Sequence, residues 1–204
     1  MGLYKTLVKY VNRNTFLSNA LLLPALYCAI TGIINIYNWN LEPSRSLTIY
    51  LSLWYIIAIL IFFVIFFSVL YHSTMYDMGF PILRKIAKLD YILTAPLFAA
   101  VMVFLFFVYI KFLSIRSNIQ CDMSNLNVEI FGVASVYLIF GFFFYIFKKF
   151  YQKGWKRGNI EKKIVYLMTH TFFHYIGYTG ITLLLMVYLL DNRNIYETFF
   201  LKKC

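Results

Sequence analysis

Charged residues are scarce in this chain, and acidic residues are scarcer still. Of the 204 residues only 13% are charged and only 8 are Asp or Glu, whereas 62% are apolar and 21% are aromatic. An average soluble domain is about 25% charged and about 45–50% apolar. A soluble protein of this length cannot bury so much apolar surface in its core. The composition therefore excludes an ordinary soluble domain and indicates that a lipid bilayer surrounds most of the chain.

Cysteine is also scarce, and its three positions, Cys28, Cys121 and Cys204, lie far apart. They form neither a metal-binding nor a redox spacing. The net charge of +11 could suggest a nucleic-acid partner, but in so apolar a chain membrane orientation and anionic lipid headgroups explain basic residues better. We therefore expect no nucleic-acid partner. Because the sequence contains no internal repeat and no low-complexity linker, residues 1–204 are predicted to form one membrane domain.

Long apolar segments are abundant, and five of them reach the length of about 20 residues that a helix needs to cross the hydrocarbon core. They are Phe16–Tyr37, Leu47–Tyr71, Asp90–Leu113, Ile130–Phe147 and Ile164–Leu190. The connections between them carry the polar and helix-breaking residues. The sequence thus predicts an all-α, multi-pass integral membrane protein with five evident spans.

The basic residues are distributed unevenly between the two sides that these spans define. One side holds the N-terminus and the connections His72–Lys88 and Lys148–Lys163, and it collects 13 of the 19 basic residues: Lys5, Lys9, Arg13, Arg84, Lys85, Lys88, Lys148, Lys149, Lys153, Lys156, Arg157, Lys162 and Lys163. Cytoplasmic loops are enriched in Lys and Arg. We therefore expect the N-terminus in the cytoplasm and the C-terminus on the exoplasmic side.

All three histidines fall at the predicted cytoplasmic ends of spans. His72 closes the second span, and His170 and His174 lie near the start of the last one. Residues four apart share one face of a helix, so His170 and His174 point the same way. By the same spacing, the hydroxyl of Ser68 lies one turn deeper than His72. Asp90 opens the third span on the same side, so five polar groups are expected at one depth.

Such a set of side chains is what a catalytic zinc site requires. Three neutral imidazoles hold the ion and leave one position open for water, whose pKa the ion lowers to about 7. A nearby carboxylate, here Asp90, can orient that water and transfer its proton. Ser68 can donate to the developing oxyanion or hold a zinc ligand. We therefore predict Zn²⁺ ligands at His72, His170 and His174 and catalytic roles for Asp90 and Ser68.

Less specific interpretations of these residues remain open at this stage. Histidines within a membrane often only form hydrogen bonds between helices, and imidazoles on facing helices can ligate haem. A bis-histidine haem would leave one histidine and Asp90 unexplained. Asp90 alone suits the start of a helix, and a serine such as Ser68 often bonds to the backbone of its own helix.

Three short motifs resemble those of the CREST superfamily, which includes alkaline ceramidases, adiponectin and progestin receptors and hemolysin III-type proteins. The motifs are Ser68-Val69-Leu70-Tyr71-His72, then Lys88-Leu89-Asp90-Tyr91, then His170-Thr171-Phe172-Phe173-His174. Members carry Ser-x-x-x-His at the end of the second helix, Asp at the start of the third and His-x-x-x-His on the last.

The resemblance implies a seven-helix bundle, two spans more than are evident here, with zinc held by His72, His170 and His174. It also implies hydrolysis of a lipid amide, as in ceramide, or of a lipid ester, with Asp90 and Ser68 at the positions of the family's aspartate and serine. We therefore expect a zinc-dependent intramembrane hydrolase whose partner is a membrane lipid substrate. The alternative is a non-enzymatic receptor or scaffold of the same architecture, in which the zinc is structural.

Overall fold

A computed structural model describes residues 2–74, 92–102, 128–156, 160–190 and 192–200 of the chain. Throughout these ranges the chain is almost entirely helical, and none of the described residues forms a strand. The helices are α1 (Gly2–Ser18), α2 (Leu22–Asn38), α3 (Arg45–Thr74), α4 (Ile92–Met102), α5 (Val128–Lys156), α6 (Ile160–Leu190) and α7 (Asn192–Phe200). The predicted all-α architecture is therefore confirmed.

Four stretches of helix are long and apolar enough to cross a membrane: Lys9–Asn38, Arg45–His72, Ile130–Lys148 and Ile164–Leu190. They coincide with four of the five predicted spans. The first runs through α1 and α2, which are joined by a 3₁₀ turn. The remaining predicted span, 90–113, lies outside the described residues except for α4, which is apolar but shorter.

The central helix of the described bundle is α6. In its apolar window 56% of the residues are buried, against 28% for α3 and 22% for α5. The outer faces of α3 and α5 instead expose large aromatic side chains, among them Phe62, Phe63, Phe66, Phe140, Phe142, Phe143, Phe147 and Phe150. Exposed apolar surface on this scale suits contact with lipid rather than with water, as membrane helices require.

Contacts along α6 define the direction of its neighbours. Thr15 and Thr171 share a hydrogen bond of 2.8 Å, and the hydroxyl of Thr182 donates to the carbonyl of Leu21. The residue numbers of the contacting pairs rise together along the two helical segments, so α1 and α2 run parallel to α6. Gly141 of α5 meets Gly177 of α6, and Lys148 meets His170. The residue numbers of α5 therefore rise as those of α6 fall, so these two helices are antiparallel.

The helix directions place the end of α5 and the start of α6 at the same end of the bundle, where α3 also finishes. We call this the histidine end, since it holds His72 and His170. At the opposite end, Tyr50 of α3 donates to Asn192 Oδ1 at 2.6 Å, and Asn192 Nδ2 donates to the carbonyl of Gly32 at 3.2 Å. These buried hydrogen bonds fix α2, α3 and α7 relative to one another.

Glycine allows α5 and α6 to approach closely. A Cβ at Gly141 would lie 2.7 Å from the Cα of Gly177, a backbone atom that cannot turn aside. A Cβ at Gly132 of the same helix would meet no atom of the described residues within 4 Å. Small residues permit such contacts between membrane helices, where van der Waals packing is a principal attraction.

We expect Gly141→Ala to destabilise the bundle by about 1–3 kcal/mol, the usual cost of overpacking. Gly132→Ala is the matched control, and it should leave stability unchanged or raise it by up to about 1 kcal/mol, because alanine favours a helix over glycine. Unfolding in detergent followed by circular dichroism measures both. Equal unfolding midpoints for the two variants would contradict the close contact.

Candidate metal centre

The three histidines of the chain meet at the histidine end of the bundle. His72 lies in the last turn of α3, and His170 and His174 lie on one face of α6. All three side chains are buried, with 2%, 8% and 1% of their surface exposed. The predicted convergence of the three imidazoles is therefore confirmed.

The separation of the three imidazoles suits a shared metal ion. Each ring offers one nitrogen, and these atoms all lie within 4.8 Å of one another. The centroid of the His72 ring is 5.4 Å from those of His170 and His174, which are 4.6 Å apart. Zinc–nitrogen bonds of 2.0–2.1 Å in a tetrahedron place ligand nitrogens roughly 3.3 Å apart.

Several nitrogens of these rings are buried without a hydrogen bond. Both ring nitrogens of His72 and Nδ1 of His174 have no partner among the residues that the structure describes. Leaving a buried polar atom unsatisfied costs about 1–3 kcal/mol, and buried polar groups normally find a partner. A metal ion would bind one nitrogen of each ring, so the donor set fits one. Three imidazoles suit zinc, copper, iron and nickel alike.

Ser68 lies on α3 one turn before His72, and its side chain is fully buried. The hydroxyls of Ser52 and Ser135 donate to the carbonyl four residues earlier, each at 2.7 Å. The Ser68 hydroxyl makes no such bond and has no hydrogen-bond partner in the described part of the chain. The backbone-bonded alternative considered for Ser68 therefore does not hold, and its hydroxyl remains available next to His72.

Asp90, the predicted catalytic carboxylate, lies outside the described residues. Its place relative to the three imidazoles stays a prediction from the sequence. Among the described residues, the only group of ligand side chains close enough to share a metal ion is formed by His72, His170 and His174.

One residue at the centre was not recognised from the sequence as part of it. Lys148 was interpreted there as the start of a basic connection, but α5 continues to Lys156. Only 3% of Lys148 is exposed, and its Nζ shares a hydrogen bond of 3.1 Å with Nδ1 of His170. A signal was present in the spacing, since Gly141, Tyr145 and Lys148 recur at helical intervals on the face of α5 that meets α6.

Aromatic rings enclose the histidines. Tyr166 stacks on His170 with centroids 5.8 Å apart, and Tyr178 meets His174 edge-on at 4.7 Å. Phe173 is fully buried and also contacts His174. An apolar shell of this kind controls access of water to a metal site and lowers its local dielectric constant.

No protein-family model matches this sequence, and neither a curated protein nor a solved structure matches it. The function proposed below rests on the arrangement of the residues themselves.

Proposed function

We propose that the chain is a zinc-dependent membrane hydrolase that cleaves an amide or ester bond of a lipid, with zinc held by His72, His170 and His174. The observation that carries the proposal is the meeting of three buried imidazoles from two helices. Several of their nitrogens have no hydrogen-bond partner among the described residues. The histidine end supplies the ligands of a catalytic zinc site and the hydroxyl of Ser68 beside them.

The proposed hydrolytic chemistry favours zinc over the other metals that three imidazoles can hold. Three imidazoles with one position left open are the ligand set of catalytic zinc sites such as that of carbonic anhydrase. The convergence of all three rings argues against haem, because a bis-histidine haem places its two imidazoles on opposite faces of a flat macrocycle. A third imidazole within 5.4 Å of both would obstruct that macrocycle.

Each side chain of the centre has a distinct part in the proposed reaction. Bound zinc would supply the Lewis acid that activates water and polarises the scissile carbonyl. Ser68 would donate its hydroxyl hydrogen to the oxygen of that carbonyl as negative charge develops there. Asp90 would accept a proton from the attacking water and deliver it to the departing amine or alkoxide. The aromatic shell would keep bulk water away from these groups.

The location of the centre suits a lipid substrate. It lies at the end of the membrane-spanning helices, where the polar part of a lipid meets the hydrocarbon core. The uneven distribution of basic residues predicts that this end faces the cytoplasm. α3 ends here and α5 begins at the opposite end, and these directions are compatible with five spans or with seven. We propose a CREST-type bundle because of the resemblance of the three sequence motifs that contain Ser68, Asp90 and the histidines.

A comparison of membrane lipids tests the hydrolase. Cells expressing the intact chain should lose one lipid class and gain its fatty acid and its amine or alcohol product, whereas His170→Ala should leave that class unchanged. Met168→Ala, at an exposed position on the same helix, is the matched control and should behave like the intact chain. Identical lipid profiles for the intact chain and His170→Ala, at equal protein levels, would count against hydrolysis.

A further inference from the structure

Asn19 lies in the 3₁₀ turn between α1 and α2, and only 2% of its surface is exposed. Its amide nitrogen donates to the carbonyls of Thr15 and Phe16, at 3.4 and 3.2 Å. A carbonyl can only accept, so these bonds identify which atom of the amide is the oxygen. That oxygen, Oδ1, has no hydrogen-bond partner among the described residues. In the buried Asn192, by contrast, both amide atoms are hydrogen bonded.

The turn that holds Asn19 packs against both α3 and α6, the two helices that supply the histidines. Contacts with α6 give its depth in the bundle. Thr15, one helical turn before Asn19, shares a hydrogen bond with Thr171. Leu21, two residues after Asn19, accepts a hydrogen bond from Thr182. Asn19 is therefore level with the part of α6 that lies about one turn beyond the histidines.

Ser68 of α3 reaches the same depth. A Cβ at Gly32 of α2 would lie 2.7 Å from the ring of Trp54 of α3, so these two residues are in contact. From this contact Asn19 is 13 residues back along the chain, and Ser68 is 14 residues forward. At 1.5 Å per residue each distance is about 20 Å. Because α2 and α3 are antiparallel, Asn19 and Ser68 lie at one level, a turn deeper than His72.

Asn19 Oδ1 can only accept a hydrogen bond, whereas the hydroxyl of Ser68 can also donate one. Both atoms are buried and lack a partner in the described part of the chain, and a buried polar atom left without one costs free energy. An acceptor and a donor at one level match a ligand that offers a carbonyl together with an N–H or a hydroxyl.

We propose that Asn19 determines the specificity of the hydrolase by accepting a hydrogen bond from a donor next to the scissile carbonyl of the lipid. Ser68 then contacts that carbonyl from the other side. The donor is an amide N–H or a hydroxyl of the substrate, and a simple lipid ester offers neither. The inference rests on the proposed function for the identity of the ligand as a lipid substrate, but it concerns binding and does not require that the bond be cleaved.

Binding of three lipids tests this role. The probes are N-palmitoyl ethanolamine and two analogues, one methylated at the amide nitrogen and the other at the hydroxyl oxygen, so that each analogue lacks one donor. Thermophoresis of the purified full-length chain, equilibrated with zinc, measures binding before appreciable hydrolysis. We expect loss of the N–H, which adjoins the carbonyl, to weaken binding by about 3–10-fold, the net worth of one hydrogen bond. A loss of this size with the other analogue instead would identify the hydroxyl as the donor that Asn19 binds.

Asn19→Leu separates the hydrogen bond from the bulk of the added methyl group. Without the acceptor, this variant should bind the probe and the affected analogue equally. Asn14→Leu is the matched control, because Asn14 also donates its amide nitrogen to the carbonyl four residues earlier but its side chain is not buried. It should discriminate between the probes as the intact chain does. Helix content and zinc content should be the same in both variants, since neither asparagine is a metal ligand.

The proposal is overturned if the intact chain binds all three probes equally or binds none of them, as expected if Oδ1 only holds a buried water. It is also overturned if Asn19→Leu discriminates between the probes as the intact chain does. Failure of the hydrolase would be recognised differently, because the probes would then bind with the expected discrimination and none would be cleaved.

Discussion

Asp90→Asn is expected to lower turnover of the lipid substrate by about 10²–10⁴-fold, the usual contribution of general acid–base catalysis. That factor corresponds to roughly 3–5 kcal/mol of activation free energy. The physical reason is that an amide side chain is similar in size to the carboxylate but cannot accept the proton of the attacking water. Because Asp90 is predicted to contact the water rather than the metal, zinc should stay bound and the bundle should stay folded.

The matched control for this substitution is Glu161→Gln. Glu161 is an exposed acid in the first turn of α6, at the histidine end, so its replacement changes the charge by the same amount without reaching the buried centre. Turnover should be unaffected. Product formation from the lipid class identified by the comparison of membranes, together with zinc content, measures both variants.

Asp90→Asn also separates an enzyme from a receptor or scaffold. A purely structural zinc needs no proton acceptor beside an open position, so the substitution would then have almost no effect, and zinc removal would reduce stability only. Full turnover by Asp90→Asn, with zinc bound, would show that this residue is not catalytic.

The second large effect is expected from His72→Ala, which removes the metal ligand that we propose on α3. Two imidazoles on α6 hold an ion poorly, so the loss of zinc affinity should exceed the 10–100-fold that typically follows from losing an outer partner. A metal that binds only the folded protein stabilises it by about 2.7 kcal/mol when the free metal concentration is a hundred times the dissociation constant. Zinc should therefore raise the unfolding midpoint of the intact chain and leave that of His72→Ala unchanged.

Ser68→Ala is the matched control for His72→Ala. Ser68 lies on the same helix, one turn away and equally buried, but a hydroxyl is not one of the three ligands. Its replacement should preserve the stabilisation by zinc and reduce turnover. A zinc-dependent midpoint in His72→Ala equal to that of the intact chain would show that α3 does not contribute to the site.

Four of the five predicted spans coincide with long helices, and they could be predicted because each of the four is a long apolar run between polar connections. Two other features of the helical structure could not be predicted from the sequence. The 3₁₀ turn at Asn19–Leu21 lies inside a continuous apolar segment, and its backbone is stabilised in part by Thr182 of another helix. Helix α7 is short and polar overall, and it is held by tertiary contacts of Asn192 and Tyr196.

The convergence of the three histidines was predictable for a different reason. His170 and His174 share a face because of their spacing, and His72 reaches the same depth because it closes a neighbouring span. The availability of the Ser68 hydroxyl was not predictable, since a serine in a helix can equally bond to its own backbone. The burial of Lys148 was also not predictable, because a lysine at the end of a span normally extends toward the surface. Here its amine lies over the rings of Phe173 and Tyr145 and contacts His170.

The most direct test of the metal centre is the zinc content of the purified chain, determined by elemental analysis after equilibration with zinc and removal of loosely bound ions. The intact protein should contain one zinc ion per chain, and a variant in which His72, His170 and His174 are all replaced by alanine should contain none. An intact protein without zinc, or a triple variant with the same zinc content as the intact protein, would contradict the assignment of the three histidines as ligands.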